Sequence, residues 1–474
     1  MPLHAFARPR LLALLLLLSL ALPLGATRRT IHLSTLGLRA GTKENSTPLL
    51  RKILEGLQSK LEQGTDTLEL LFLTGRYHLA SEGALQHEYF ISNHDHAGIR
   101  PIGLLLKGWR HVILRGEGSE LLFEERMLPI VLDSCQGVEL HGLTIDYTNP
   151  QISQLRLLRS DTTRGMLFSP EPWVKWRITS EGKFETYGSN WQMIPEHGLA
   201  FDPKTRELCY RTSDVLFLNR DVRQLTRQEA KRYGVKGRQS GPILYAPHWR
   251  DAQLRDGTIF AARTGYRPQP AIFVNGCQDI RLDDITIHFA EGMGLLAQRS
   301  KDIHLEHFSV ELRPKGGRYF TTQADATHFV ACRGQISVER CHFENMMDDA
   351  LNVHGVYLKV VGREGKHTLL GRFMHEQSFG FPWADPGDSV RLVTSLDIQG
   401  LEGVFYVSSI SSAEGKSLDG AREVRITFRE ELPADYTPER GISMENLTRT
   451  PRVLFARNLV RHNRARGILI NTPR

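Results

Sequence analysis

Residues 138 to 145 read Val138-Glu-Leu140-His-Gly-Leu143-Thr-Ile145, two short runs of alternating apolar residues separated by a break. Alternation of this kind is typical of β-strands that bury one face. Each match to this template therefore predicts two short strands joined by a bend. The template recurs at residues 280–287, 303–310, 336–343 and 453–460.

The spacing of these copies indicates how they pack. The second and third copies begin 23 residues apart. A unit of that length cannot bury its apolar side alone and gains a core by stacking on its neighbours. The sequence therefore predicts an all-β fold, a right-handed parallel β-helix. A β-sandwich would also show alternation, but five copies of one eight-residue template favour the solenoid.

Two long segments lack the template yet keep strand-like alternation with Gly and Pro punctuation. We interpret them as β-rich modules inserted at single turns, which leaves the stacking of the coils intact. The template ends in mid-coil near residue 474, which predicts further coils or another covering element there. The predicted organisation is a signal peptide (1–26), a cap helix with the first coils (27–150), an inserted module (151–270), coils that carry the candidate site (271–357), a second module (358–450) and a resumed coil (451–474).

The N-terminus has the composition of a secretory signal peptide. Arg8 and Arg10 precede the apolar run 11–22, and small residues follow at Gly25 and Ala26. A retained N-terminal anchor is the alternative. We expect a secreted or periplasmic protein with no membrane span after cleavage.

Composition excludes several classes of protein. The formal net charge is +7, without a block of Lys or Arg and without interleaved aromatic and basic residues, which argues against nucleic-acid binding. The cysteines are odd in number and lack paired spacing, so neither a disulfide framework nor a zinc site is predicted. The sequence leaves the oligomeric state open, a homo-oligomer included.

Residues 344–355 read Glu-Asn-Met-Met-Asp348-Asp349-Ala-Leu-Asn352-Val-His354-Gly355. Adjacent carboxylates are a poor choice for a packed core, because burying an unpaired charge is costly. They can share one site only if the backbone bends there. Asp325 lies 23 residues before Asp348, so a coil of that length places all three carboxylates together, below the extra loop 313–323.

Carboxylates this close cannot all ionise cheaply, so one of them retains a proton. A protonated acid beside ionised partners is what glycoside hydrolysis needs. Two other interpretations remain: the aspartates ligate Ca²⁺, or they cap turns. Further residues predicted to bind substrate are His328, Asn352, His354 and Arg299. Arg299 is included because it lies 26 residues before Asp325.

Taken together, four segments resemble glycoside hydrolase family 110: Gln323-Ala-Asp325-Ala-Thr-His328, residues 345–355, the early Tyr-Phe-Ile-Ser-Asn93-His-Asp and the late Asn463-Arg-Ala-Arg-Gly-Ile-Leu-Ile. These are exo-acting α-1,3-galactosidases. The resemblance implies a parallel β-helix with inserted β-barrel-like modules and inversion at the anomeric carbon. It also implies a glycan substrate with terminal α-galactose, and no metal or other cofactor.

Carried over by position, the resemblance implies that Asp325, Asp348 and Asp349 are catalytic. The arrangement is also similar to that of β-helical pectin hydrolases, which by analogy makes Asp348 the general acid and Asp325 with Asp349 the base. For inversion we expect acid and base to lie about 6.5–9.5 Å apart. A hydrolase of acidic, pectin-like polysaccharide and a non-catalytic β-helical carbohydrate-binding protein are the alternative functions.

Overall fold

The computed structural model describes residues 28–58, 66–95, 98–209, 214–237 and 241–472. The predicted signal peptide, residues 1–26, lies outside them. Most of the regular structure in these ranges is β-strand, which confirms the all-β prediction. The helices are the α-helices Thr47–Gln58 and Arg227–Arg232 and the 3₁₀ helices Leu33–Leu36 and Pro438–Arg440.

Two sheets of mainly parallel strands form the coils of a parallel β-helix. The first template residue of all five copies falls in one ladder, because Val138 pairs with Ile280, Ile280 with Ile303, Ile303 with Ile336 and Ile336 with Val453. The first sheet comprises Arg28–His32, Thr67–Leu71, Arg76–Leu79, Arg110–Phe123, Gln136–Tyr147, Gln278–Ile287, Lys301–Glu306, Ser309–Val310, Arg333–Glu339, His342–Glu344, Arg452–Ala456 and Leu459–Arg461. The second sheet comprises Leu85–Glu88, Ile99–Lys107, Leu128–Asp133, Ile272–Asn275, Leu295–Gln298, Thr327–Val330, Leu351–His354 and Ile468–Asn471.

The break in the template is a backbone bend. Its fifth residue adopts a left-handed conformation in every copy, with φ between 49° and 63°. That conformation turns the chain so that the apolar residue after the bend faces the core again. It costs a non-glycine residue about 1–2 kcal/mol, which the packing of the stacked coils offsets. The residues at this position are Gly142, Asp284, His307, Arg340 and Arg457.

Two antiparallel modules interrupt the β-helix, as the sequence predicts. The second is a closed barrel, and its core packs on Phe273, Leu296 and Val330 of the second sheet. The first module comprises Ser153–Asp161, Gly165–Pro170, Trp176–Ile178, Phe184–Tyr187, Gln192–Met193, His197–Phe201, Val215–Leu216, Arg223–Leu225, Ile243–Ala246 and Ile259–Arg263. The second comprises Leu358–Glu364, Thr368–Arg372, Ser389–Thr394, Phe405–Ser412, Glu423–Phe428 and Ile442–Asn446.

The helix Thr47–Gln58 covers apolar surface at the N-terminal part of the β-helix. Leu50, Ile53 and Leu54 recur at helical spacing and are buried in the core that both sheets share. Among the described residues, no helix has the length and apolar character needed to cross a membrane. Cys135, Cys277, Cys332 and Cys341 are buried and Cys209 is half-buried.

Candidate active site

The three predicted carboxylates meet where two successive coils enter the second sheet. Thr327 pairs with Leu351 in the ladder, so Asp325 and Asp349, each two residues earlier, are neighbours on adjacent coils. The chain bends at Asp348, before the strand Leu351–His354 begins. One carboxylate oxygen from each of the three residues lies within 4.8 Å of the others. The structure therefore brings all three side chains into one cluster.

The close approach of two of the carboxylates follows from the fold. Asp325 and Asp349 stack on successive coils, and neighbouring strands lie about 4.8 Å apart. The 4.8 Å limit applies to one oxygen of each carboxylate, whereas the roughly 6.5–9.5 Å expected for inversion separates the carboxyl groups of acid and base, so that expectation stays a prediction.

Burial changes the acidity of the cluster. Asp325 is almost fully buried, and this burial together with the adjacent Asp349 carboxylate raises its pKa to about 7. Burial and the neighbouring Asp325 also raise the pKa of Asp348 above its usual value. The cluster can therefore retain a proton near neutral pH.

Two arginines balance the remaining negative charge. Arg466 donates from Nε to Asp349 Oδ1 at 3.0 Å and from its terminal nitrogen to Oδ2 at 2.9 Å. Arg267 lies 3.2 Å from Asp348 Oδ2. A Ca²⁺ site needs several anionic oxygens available to the ion, whereas Arg466 donates twice to Asp349 Oδ1 and once to Oδ2, which leaves one lone pair of Oδ2 for a water. The arrangement favours acid–base chemistry over cation binding.

Of the predicted histidines, His328 contacts Asp325 and His354 contacts His328. His328 Nδ1 is 2.6 Å from Asp325 Oδ2, and His328 Nε2 is 2.8 Å from His354 Nε2. Burial lowers the pKa of His328 to about 3 and that of His354 to about 4. Both rings are therefore neutral at physiological pH.

Asn352 is the lateral neighbour of His328 in the second sheet. Its Oδ1 is buried and has no hydrogen-bond partner among the described residues. A buried acceptor without a partner is costly. Asn352 is therefore available to accept a hydrogen bond from a sugar hydroxyl.

Arg299 lies elsewhere. It follows the carboxyl end of the strand Leu295–Gln298, whereas Asp325 precedes the amino end of Thr327–Val330. Its guanidinium contacts Asp385 of the second module at 3.1 Å. The arginines at the carboxylates are instead Arg267 and Arg466.

Sequence reasoning did not single out Arg267, Arg466 or His94. His94 is fully buried, and its Nε2 accepts a hydrogen bond from the backbone N–H of Met293 at 3.3 Å. Met293 is the equivalent of Asp325 on the preceding coil. Burial lowers the pKa of His94 well below its usual value. A signal was present, because His94 and Arg466 fall within the early and late segments that carry the family resemblance.

A cavity of about 580 Å³ opens beside Arg267. Thr264, Gly265 and Tyr266, its immediate chain neighbours, line this cavity, and so does Asp95, which accepts from the Arg267 backbone N–H at 2.5 Å. Arg126 stacks over the Tyr266 ring, 5.4 Å from the centroid. The cavity thus combines aromatic and charged surface of the kind that sugars contact.

A parallel β-helix that carries three clustered carboxylates has the fold and the acidic groups of a β-helical glycoside hydrolase. Family profiles agree, since "GLAA-B beta-barrel domain I" matches residues 153–260 and "GLAA-B beta-barrel domain II" matches residues 368–439. The chain is 42% identical to Alpha-1,3-galactosidase B of Phocaeicola vulgatus, over 96% of this chain and 73% of that protein. It is 40% identical to Alpha-1,3-galactosidase B of Bacteroides fragilis strain YCH46, over 98% of this chain and 76% of the relative. The chain belongs to glycoside hydrolase family 110.

Among solved structures, the family 28 exopolygalacturonase of Yersinia enterocolitica is similar over 71% of this chain and 46% of its own, at 11% identity and a TM-score of 0.30.

Proposed function

We propose that this protein hydrolyses terminal, non-reducing α-1,3-linked galactose from glycans with inversion of configuration. The observation that carries the proposal is the cluster of Asp325, Asp348 and Asp349, in which one oxygen from each carboxylate lies within 4.8 Å of the others. The sugar follows from the relatives, which are named Alpha-1,3-galactosidase B.

Asp348 acts as the general acid because its carboxylate is the accessible one. Its side chain is 19% exposed, whereas those of Asp325 and Asp349 are 4% and 1% exposed. Asp348 gives its proton to the glycosidic oxygen as the bond from that oxygen to the anomeric carbon breaks. Arg267 holds the carboxylate that remains.

Asp325 and Asp349 hold the attacking water on the other side of the anomeric carbon. As the water oxygen bonds to that carbon, its proton passes to this pair. The close spacing of the cluster then lets the proton return to Asp348. General acid and base assistance of this kind contributes roughly 10²–10⁴-fold each.

The acidic-polymer alternative requires basic residues that are available to substrate carboxylates. The arginines near the cluster are already paired with protein carboxylates: Arg267 with Asp348, Arg466 with Asp349, and Arg464 with Asp214. A neutral sugar therefore fits this site better than a uronate.

Export of the protein to the periplasm or the medium is part of the proposal. It is supported by Arg8 and Arg10, the apolar run 11–22 and the small residues that follow. The glycan substrate is then met outside the cytoplasm.

A panel of nitrophenyl glycosides and α-1,3-galactosyl oligosaccharides tests reaction and sugar together. We expect galactose release from the α-1,3-galactosides, and hydrolysis of oligogalacturonides instead would contradict the proposal. Asp348→Asn tests the role of Asp348 in turnover. The variant should lose orders of magnitude in turnover, whereas unchanged turnover would remove Asp348 from the mechanism.

A further inference from the structure

A chain of hydrogen bonds runs from a backbone carbonyl to Asp325 through two histidines. His354 Nδ1 lies 2.6 Å from the carbonyl oxygen of Gly355. His354 Nε2 lies 2.8 Å from His328 Nε2, and His328 Nδ1 lies 2.6 Å from Asp325 Oδ2. All four groups are within hydrogen-bond distance of their neighbours.

The carbonyl at one end fixes the position of every proton in the chain. A carbonyl oxygen only accepts, so His354 Nδ1 carries a hydrogen. In a neutral ring His354 Nε2 is then an acceptor, and His328 Nε2 must donate to it. A neutral His328 consequently presents a lone pair at Nδ1, and Asp325 can satisfy that lone pair only by donating an O–H.

We propose that His354 is a positioning residue that acts through His328 to hold a proton on Asp325. The alternative state, with an Asp325 carboxylate against a His328 imidazolium, has the same number of protons but two charges in a buried site. Burial opposes both charges, since it lowers the pKa of His328 to about 3 and raises that of Asp325 to about 7.

Other charged or titratable groups also face this pair and enter its titration. The acidic neighbours disfavour a charged Asp325 and the arginines favour it. The groups that face Asp325 and His328 from the elements packed against them are Asp348, Asp349, Arg267, Arg466 and His94.

The inference rests on the proposed function for its catalytic meaning, and it refines that function. A protonated Asp325 cannot take a proton from water. Asp349 is then the carboxylate that accepts the water proton, while the carbonyl oxygen of the neutral Asp325 accepts a hydrogen bond from the same water. With Asp348 protonated as the general acid, protonation of Asp325 leaves Asp349, which is paired with Arg466, as the one charged carboxylate among the three.

Infrared difference spectroscopy reads the proton without any need for turnover. The wild-type protein minus Asp325→Asn should show the carbonyl band of a protonated carboxylic acid near neutral pH. The subtraction cancels buried acids that do not interact with Asp325, such as Glu291, whose pKa burial also raises to about 7. The band should be lost in His354→Ala, because His328 can then donate from Nδ1 to an ionised Asp325. It should persist in His354→Gln, whose amide oxygen can accept from His328 Nε2–H.

The pH profile of kcat/KM gives the second readout. We expect its alkaline limb to move to lower pH by about one unit in His354→Ala and to return to the wild-type position in His354→Gln. His288→Ala is the matched control, since His288 is also buried and bonds to a backbone carbonyl, that of Glu311, outside the cluster. His288→Ala should change neither the alkaline limb of the kcat/KM profile nor the infrared band of the protonated Asp325.

The outcomes are distinct. No acid band in the wild-type protein, or an unchanged band and limb in His354→Ala, would overturn the inference even if thermal stability falls. A His354→Gln variant that behaves like His354→Ala would do the same. If the wild-type protein released no galactose but the band responded as described, the proposed function would fail and the proton assignment would stand.

Discussion

The guanidinium of Arg466, which lies one coil after Asp349, donates hydrogen bonds to both carboxylate oxygens of Asp349. The ladder that pairs Leu351 with Ile468 places the two residues at equivalent positions, each two residues before its strand. The backbone N–H of Arg466 also donates to Asp349 Oδ1 at 2.7 Å. The last described coil therefore supplies both a backbone and a side-chain partner for Asp349.

Replacing Arg466 should slow catalysis more than it weakens binding. Without the guanidinium, Asp349 loses a bidentate, charge-assisted pair and its fixed orientation. Since such a bond is worth about 1.5–3 kcal/mol, Arg466→Ala should lower kcat by roughly 10- to 100-fold with little change in KM. Steady-state kinetics measure both. Arg457→Ala is the control, because Arg457 lies on the same coil as Arg466 but beside the first sheet, where it pairs with Glu339 of the preceding coil. Equal effects of the two substitutions would contradict the role given to Arg466.

Asn352 should contribute to sugar binding. Its buried Oδ1 gains a partner when a hydroxyl enters the site, and loss of one such bond costs about 1–3 kcal/mol. Asn352→Ala should therefore lower kcat/KM for an α-1,3-galactoside by roughly 5- to 150-fold. Asn275→Ala, on the same sheet but bonded to Asp133 at 3.2 Å, serves as control. A kcat/KM unchanged by Asn352→Ala would show that the sugar does not contact this residue.

The buried Asp325 should make stability depend on pH. Its pKa is raised from the usual value to about 7, so the folded protein binds a proton there that the unfolded chain has already released above pH ~4. The contribution of the protonated group is fully present below pH ~4 and is lost as the pH rises towards 7. Asp325→Asn, which cannot ionise, should show a smaller fall in the free energy of unfolding between pH 4 and pH 7.

Denaturant unfolding of the wild-type protein and Asp325→Asn at several pH values measures this difference. Parallel curves for the two proteins would mean that the pKa of Asp325 is the same in the folded and unfolded states.

The coils could be predicted because the template is local. Five matching segments predict strand, bend and strand, and the structure places a left-handed residue at the bend in each copy. The meeting of Asp325 with Asp348 and Asp349 followed from the spacing alone, because the coil that separates them has the regular length.

Arg299 shows where counting along the chain fails. The loop 313–323 lengthens the coil before Asp325, so the residue one turn earlier is Met293 rather than Arg299. The equivalent of Arg299 on the next coil is Ala331, and both have a left-handed backbone at the same corner. The longer step between the template copies at 303 and 336 reveals this loop, but counting 26 residues back from Asp325 takes no account of it.

The pairing of each arginine with its carboxylate could not be predicted, for a related reason. Arg267 reaches Asp348 from the segment that leaves the first module, and Arg466 lies 117 residues after Asp349, beyond the second module. Which arginine faces which carboxylate depends on where each module returns the chain to the coil.

The anomeric form of the first product tests the central claim most directly. Proton NMR should follow hydrolysis of an α-1,3-galactosyl oligosaccharide at times shorter than mutarotation. A water held by Asp325 and Asp349 that attacks opposite the leaving oxygen yields β-galactose first. Initial release of α-galactose would mean a double displacement through a covalent intermediate and would contradict this account.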